Sequence, residues 1–296
     1  MQHKTVLLDE SIENLNLKAG AVYFDGTLGG SGHARKVCAD FGTSVRIIAT
    51  DRDTLAIKNA ENLLSDLGCS YHLALSDYRD IDTVLAKLNI ETVDAIMLDL
   101  GLSSDQFTSG RGFTFRGDEP LLMTFASDPK GLITAEHIVN HWKEETIADI
   151  LYGYADERYA RRIAAAIVAA RELAPIRTTG ELVAVIAEAV PKAYTRGKIH
   201  FATKTFQALR IAVNDEIGAL KEGLAKGWKL LSAGGRMAII SFHSVEDREV
   251  KNFFRDRVKD GVGRLINKKP IVPTKEEQVA NPRSRSAKLR VIEKMQ

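Results

Sequence analysis
The chain has 296 residues, 45% hydrophobic and 27% charged, the composition of a globular protein with room for one large domain or two modest ones. No apolar run approaches membrane-spanning length and the start has no signal-peptide core, so membrane and secreted classes are excluded and a cytoplasmic protein is expected. The net charge of +2 hides an asymmetry: Lys251 to Gln296 holds 13 Lys/Arg against 5 Asp/Glu, which suggests a polyanionic partner.

From the amino end, His3 to Glu10 leads into a short helix from Ile12 to Leu15. Ala21 to Phe24 is a β-rich run. It ends in Asp25 and four glycines within seven residues, Gly26, Gly29, Gly30 and Gly32, and a helix follows from Ala34 to Asp40. Strand, glycine-rich turn and helix form the nucleotide-cradling unit of doubly wound α/β domains. The glycines depart from the dinucleotide pattern G-x-G-x-x-G, since two residues separate Gly26 and Gly29. Val45 to Asp51 is a second strand, ending where such sites place a ribose-gripping carboxylate, although Asp51 could equally cap the next helix. That helix runs from Thr54 to Leu67, with Leu55, Ala56, Asn59, Leu63 and Leu67 near one face. Tyr71 to Leu75 is a third strand, Ile81 to Leu88 a helix, and Val93 to Leu100 a buried strand carrying Asp99 near its end. The order βαβαβαβ implies a parallel sheet with right-handed crossovers.

The alternation then stops. Ser103 to Arg116 is a polar, glycine-rich loop, and Thr134 to about Lys192 is helical throughout. Ala155 to Leu173 turns Ile163, Ile167 and Val168 inward and Arg158, Arg161 and Arg162 outward. The sheet resumes at Ala233 to His243, followed by a helix from Ser244 to Arg257. Gly263 to Lys269 and Leu289 to Lys294 are closing strands.

Asp25, Asp51, Asp99 and Ser241/His243 thus share the carboxyl rim, where open α/β sheets bind ligands. Acids there disfavour a phosphate-dense ligand. They suit an adenosine bearing a cationic tail, such as S-adenosylmethionine, over NAD. No metal constellation is present in the sequence. Cys38 and Cys69 lack metal spacing and read as reduced packing residues, out of reach of the rim.

Several stretches, in order along nearly the whole chain, resemble one family. They are His3-Lys-Thr-Val-Leu-Leu-Asp-Glu10, Asp25-Gly-Thr-Leu-Gly-Gly-Ser-Gly-His33, Leu98-Asp-Leu-Gly-Leu-Ser-Ser104 with Gln106, Arg111-Gly-Phe-Thr-Phe115, Thr205-Phe-Gln-Ala-Leu-Arg-Ile211, Ile240-Ser-Phe-His-Ser-Val-Glu-Asp-Arg248 and Asn281-Pro-Arg-Ser-Arg285. The family is the bacterial small-subunit ribosomal RNA cytosine-N4 methyltransferases of the MraW type. The resemblance implies a class I, Rossmann-like methyltransferase sheet (residues 1–104 and 203–296) with an inserted all-α domain (105–202) that recognises RNA. It implies S-adenosylmethionine as cofactor, ribosomal RNA or the assembling small subunit as partner, no membrane, and transfer to N4 of a decoding-region cytidine. A homodimer is compatible with it.

By the same resemblance the donor contacts fall on Ser31, Gly32, His33, Asp51, Tyr78, Asp99 and Gln106. Ser31 replaces the family's first glycine, which a backbone contact survives where φ is negative. Asp99 is the candidate catalytic residue, holding the amino hydrogens of a poorly nucleophilic N4, or else part of the donor site only. His243, Arg283 and Arg285 are candidate RNA contacts, as are Lys288 and Arg290. The family's Pro-Leu-Asp-Met-Arg-Met reads Pro120-Leu-Leu-Met-Thr-Phe125, so two charges are replaced by Leu122 and Thr124. Two other classes stay open on the residues alone: an NAD oxidoreductase, and an RNA-binding module without catalysis.

Overall fold
The computed structural model describes residues 4–115 and 117–295, so His3 of the first motif, Arg116 and Gln296 lie outside the described residues. The chain divides into two compact units, Met1–Ser103 with Ile217–Gln296, and Ser104–Glu216.

The first unit is built on a seven-stranded sheet. Its strands are β1 (Val22–Asp25), β2 (Arg46–Asp51), β3 (Ser70–Leu75), β4 (Val93–Asp99), β5 (Leu231–Ser241), β6 (Gly263–Leu265) and β7 (Lys288–Lys294), in the order β3-β2-β1-β4-β5-β7-β6. β1 to β5 pair in parallel, whereas β7 runs antiparallel to β5 and to β6. The helices are α1 (Leu8–Leu15), α2 (Gly32–Phe41), α3 (Thr54–Leu64) and α4 (Ile81–Lys87) before the break in alternation, and α12 (Glu216–Leu230), α13 (Ser244–Lys259) and α14 (Lys275–Ala280) after it. Successive strand residues point to opposite faces. Tyr23, Ile47, Met97 and Ile240 therefore enter one core with Val37 and Val291, while Phe24, Ile48, Ile96 and Ile239 enter the other with Trp228 and Phe254. Burial on both faces explains why β1, β2 and β4 read as continuous apolar runs.

Two sequence expectations are corrected here. Cys38 and Cys69 are not separate packing thiols: they form a disulfide, with Cα atoms 5.4 Å apart. The bond ties the end of α2 to the amino end of β3. On α3, Leu55 and Leu63 are exposed, as is Leu67 just after it, and the helix packs through Ala60 and Leu64. The apolar stripe identified a helix but not its buried face, because small Ala60 lets the helix lie closer than a leucine would.

The second unit is helical: α5 (Ser104–Phe107), α6 (Ala135–His141), α7 (Glu144–Ala155), α8 (Ala160–Leu173), α9 (Thr179–Ala189), α10 (Lys192–Thr195) and α11 (Thr203–Asn214). Its core holds Ile138, Ile147, Leu151, Ile163, Ile167, Leu182, Ile186 and Leu209, while Val168 is only half-buried. Thr178 and Glu181 form a capping box that starts α9. Among the described residues no helix is long and apolar enough to cross a membrane.

A disulfide closing a loop of 31 residues restricts the unfolded chain and is worth on the order of 3 kcal/mol. Denaturant titration should show that Cys69→Ser loses about that much, and that reductant lowers the parent protein to the same level while leaving the variant unchanged.

Candidate active site
Parallel strands end on a common side, so β1, β2 and β4 deliver Asp25, Asp51 and Asp99 to one edge of the sheet. Asp25 lies beside Ala49 of β2 and Met97 of β4, and Asp99 beside Ile240 of β5. The strand order reverses between β1 and β4, the switch point where such sheets bind ligands.

The glycine-rich loop is laced to these acids. The Gly29 N–H donates to Asp51 Oδ2 (2.8 Å), and the Asp53 N–H to Asp51 Oδ1 (2.8 Å). The Thr27 N–H donates to Asp25 Oδ1 (3.2 Å), the Tyr23 hydroxyl to Asp25 Oδ2 (3.3 Å), and the Asp99 N–H to Thr27 Oγ1 (2.6 Å). Asp51 is therefore not the cap of α3. That role falls to Asp53, whose side chain accepts the Leu55 N–H at 3.0 Å.

Gly32 opens α2 where a Cβ would collide with the Thr5 hydroxyl, which ties the amino-terminal motif to the loop. Its neighbour Ser31 has φ 64°, in the left-handed region. The condition of a negative φ, under which serine would replace glycine without strain, is not met. Serine at a helix N-cap normally caps with its hydroxyl. Here Ser31 makes no such bond, and its buried Oγ has no hydrogen-bond partner among the described residues. His33 is buried at 4% exposure. Tyr78 starts a 3₁₀ turn after β3, with its Cβ 2.7 Å from where a Cβ on Gly26 would stand, so it also borders the loop.

The electrostatics follow from burial. Asp25, 1% exposed, has its pKa pushed up to about 7 by loss of water, and the nearby charges of Asp99 and Asp51 oppose its ionisation further. Burial likewise raises Asp99 to about 7, with the charge of Glu246 adding to it. Asp99 is only half-buried at the surface. Water screens it more than Asp25, and Asp25 is the firmer case. Burial also raises Asp51, against the pull of the Asp53 and Gly29 N–H groups. Such an edge repels anions and gains from a bound cation.

The remaining predicted residues divide. His243 follows β5 and caps α13: its Nδ1 accepts the Glu246 N–H at 3.3 Å, and its Nε2 lies 3.0 Å from Glu246 Oε1. Both ring nitrogens thus face Glu246, a buried residue that the sequence reading passed over. The signal was the Ser-Val-Glu spacing after His243, which completes a capping arrangement. Arg283 and Arg285 are exposed in the turn before β7, and β7 begins opposite Ser241, at the same edge. Lys288 and Arg290 both pair with Asp247: Arg290 Nε donates to Oδ1 (2.7 Å) and Lys288 Nζ to Oδ2 (3.1 Å). Gln106 belongs to the second unit, buried on α5. In that unit Thr124 is buried too, and its carbonyl accepts from Arg111 Nη1 at 3.3 Å, so the cation beside this position belongs to Arg111.

The family described as the MraW methylase family matches residues 1–295. The chain belongs to it. Curated relatives named ribosomal RNA small subunit methyltransferase H are 43% identical in Paenibacillus sp. (strain JDR-2) and 44% in Acetivibrio thermocellus, each covering 99% of both chains. Among solved structures, a putative rRNA methylase from Clostridium thermocellum has a TM-score of 0.49 at 15% identity and covers 100% of both chains. A putative methyltransferase from Streptococcus mutans, solved with S-adenosylhomocysteine, has a TM-score of 0.44 at 14% identity and covers 99% of both chains. In this MraW-family chain the strand order β3-β2-β1-β4-β5-β7-β6, parallel except for β7, makes the sheet Rossmann-like.

Two outcomes follow. Ser31→Gly relieves a left-handed serine and should raise stability by roughly 1 kcal/mol in thermal unfolding. The folded chain also keeps a proton on Asp25 that the unfolded chain loses above pH 3.8. That contribution to stability is greatest below pH 3.8 and disappears as pH rises through about 7. Asp25→Asn should flatten the fall in stability across this window, measured by denaturant titration at stepped pH.

Proposed function
We propose that this protein transfers a methyl group from S-adenosylmethionine to the exocyclic N4 of a cytidine in the decoding region of small-subunit ribosomal RNA, working on the naked RNA or the assembling subunit in the cytoplasm. The observation that carries the reading is the edge where Asp25, Asp51 and Asp99 meet the glycine-rich loop, in a chain of the MraW family. Relatives across nearly its whole length carry the ribosomal RNA small subunit methyltransferase name.

The residues suit a cationic donor. Ligand amino and sulfonium charges would relieve the crowding of carboxylates that raises Asp25 and Asp99. Asp51 would face the ribose hydroxyls and Tyr78 the adenine. Ser31, Gly32 and His33 would offer the loop backbone to the amino-acid end. When bound, the donor supplies an electrophilic methyl group on sulfur.

The N4 lone pair is delocalised into the cytosine ring, which makes it a weak nucleophile. Asp99, by accepting an amino hydrogen, would favour a pyramidal nitrogen and receive the proton that leaves as the new C–N bond forms. Holding base and donor in line supplies much of the rate. Attack at ring carbon C5 is disfavoured, because that chemistry needs a thiolate. Cys38 and Cys69 are bonded to each other at the amino end of β3, away from the carboxyl edge. Arg283 and Arg285 would meet phosphates, and His243 would shape the base pocket as a held ring rather than as a free base.

Incubation of undermodified small-subunit RNA with labelled donor, followed by nucleoside analysis, should yield N4-methylcytidine; 5-methylcytidine would contradict the reading. Asp99→Asn should lose about 10²–10⁴-fold in transfer rate and keep its donor affinity in calorimetry. A parallel loss of donor binding would instead assign Asp99 to the cofactor site.

A further inference from the structure
The amino end of α8 carries a cluster that the carboxyl-edge site does not use. Glu157 is fully buried, and both of its carboxylate oxygens are engaged. Oε1 accepts the Tyr159 N–H (2.9 Å) and Oε2 the Tyr194 hydroxyl (2.8 Å). This sets the two rings edge to face, with centroids 4.9 Å apart and planes at 69°. The Arg158 guanidinium lies 4.8 Å from both ring centroids, and that of Arg162 lies 5.9 Å from Tyr159. Burial, and then the charge of Glu157, raise the Tyr194 pKa, so its hydroxyl remains a neutral donor.

The charges around the rings are of one sign. Arg158, Arg161 and Arg162 are exposed, and they enter none of the ion pairs that occupy Arg210, Arg236 and Arg290. α10 adds exposed Lys192, followed by Arg196 and Lys198. From Ala189 to Asn214 the chain carries five Lys/Arg and no Asp/Glu. The placement is costly for the isolated helix. α8 has no acid in its first turn, where Arg161 and Arg162 stand against the positive end of the helix dipole, and the like charges of Arg158 and Arg162 share the Tyr159 ring. An anion laid across this end would remove both penalties.

We propose that the Arg158–Tyr159–Tyr194 cluster, with Arg161 and Arg162, is a docking surface for a single-stranded segment of RNA. The guanidiniums of Arg158, in the turn before α8, and of Arg162 both lie against the Tyr159 ring, 4.8 and 5.9 Å from its centroid, so two cations are offered side by side to one strand. Arg158 would meet phosphate while the two half-buried rings flank unpaired bases, the combination that holds single strands without reading sequence. The inference rests on the ribosomal RNA reading and names a surface that grips the substrate strand. It also supplies cations in the unit where Leu122 and Thr124 carry none.

The test uses the full chain and a fluorescent single-stranded RNA of mixed sequence, with polyglutamate as a second probe. Arg158→Gln/Arg162→Gln should weaken RNA binding about tenfold or more near physiological salt and flatten the log–log salt dependence by about 1.4, since each lost single-strand contact removes ~0.7. Tyr194→Phe should weaken binding less and leave the salt slope unchanged. Affinity for S-adenosylhomocysteine should stay at the parent value in all variants, and so should the thermal melt of the double variant, which separates a binding defect from misfolding; Tyr194→Phe leaves Glu157 Oε2 without its donor and should lower the melt. Unchanged RNA affinity and slope in the double variant would overturn the proposal, as would tight binding of polyglutamate by the parent protein, which would point to an acidic protein surface. If the parent methylates small-subunit RNA while the double variant does so with the same KM, this surface is wrong and the function stands. If the parent neither binds nor methylates RNA, the function itself falls and takes the surface with it.

Discussion
The hydrogen bonds that lace the glycine loop to the strand-end acids set the form of the site. Gly29 reaches Asp51, Thr27 reaches Asp25, and Asp99 reaches back to the Thr27 hydroxyl. One loop is thereby held by three strands at once. The Asp25 and Asp51 carboxylates hold loop backbone that a phosphate would hold in a dinucleotide site. A dinucleotide loop keeps its helix start clear for an anion. This one places acids at the same edge, and that difference selects the charge of the ligand before any shape is considered.

The cost of the arrangement is visible in the protonation of the acids. Asp25 and Asp99 are each held near neutrality by burial and by neighbouring negative charge. Groups poised near the working pH are frequent at functional sites because small changes in charge move them. A cation brought to this edge would pull both carboxyls toward ionisation, so binding and proton release are coupled by the same charges that make the empty edge unfavourable. Glu246 belongs to this balance: it faces both nitrogens of His243 and raises Asp99 at the end of the adjoining strand.

The parallel strands were legible in the sequence because burial on both faces leaves long apolar runs, and the acids at their ends were legible because topology alone puts them on one side. Features that depend on tertiary contact were not. The left-handed Ser31 follows from how the loop meets α2, and nothing in Gly-Gly-Ser-Gly-His announces which of its residues takes positive φ. The buried face of α3 was misread because leucines outweigh alanine in any pattern of hydrophobicity, although Ala60 and Leu64 make the contact. The pairing of Cys38 with Cys69 requires knowing that the end of α2 passes the start of β3, which spacing does not contain. His243 read as a candidate RNA contact, and its pairing with Glu246, three residues on, shows only once the start of α13 is formed.

Charge counts mislead for a related reason. The basic section from Lys251 to Gln296 looked like the natural seat of RNA binding, yet much of its charge is neutralised within the fold. Asp247 takes Lys288 and Arg290, Glu293 takes Arg264 along with Arg236 from outside the section, and Lys294 donates to the carbonyls of Trp228, Lys229 and Leu231. Arg255 and Arg257 pair with Asp256 and Asp260. The helical unit has no such excess in its composition, but its cations are segregated, and at α8 they are held by rings rather than by acids. A guanidinium stacked on tyrosine keeps its full charge and most of its N–H donors for an incoming anion, whereas one paired with carboxylate has surrendered both. The chemistry of the partners, more than the number of lysines and arginines, decides which surface can grip a polyanion.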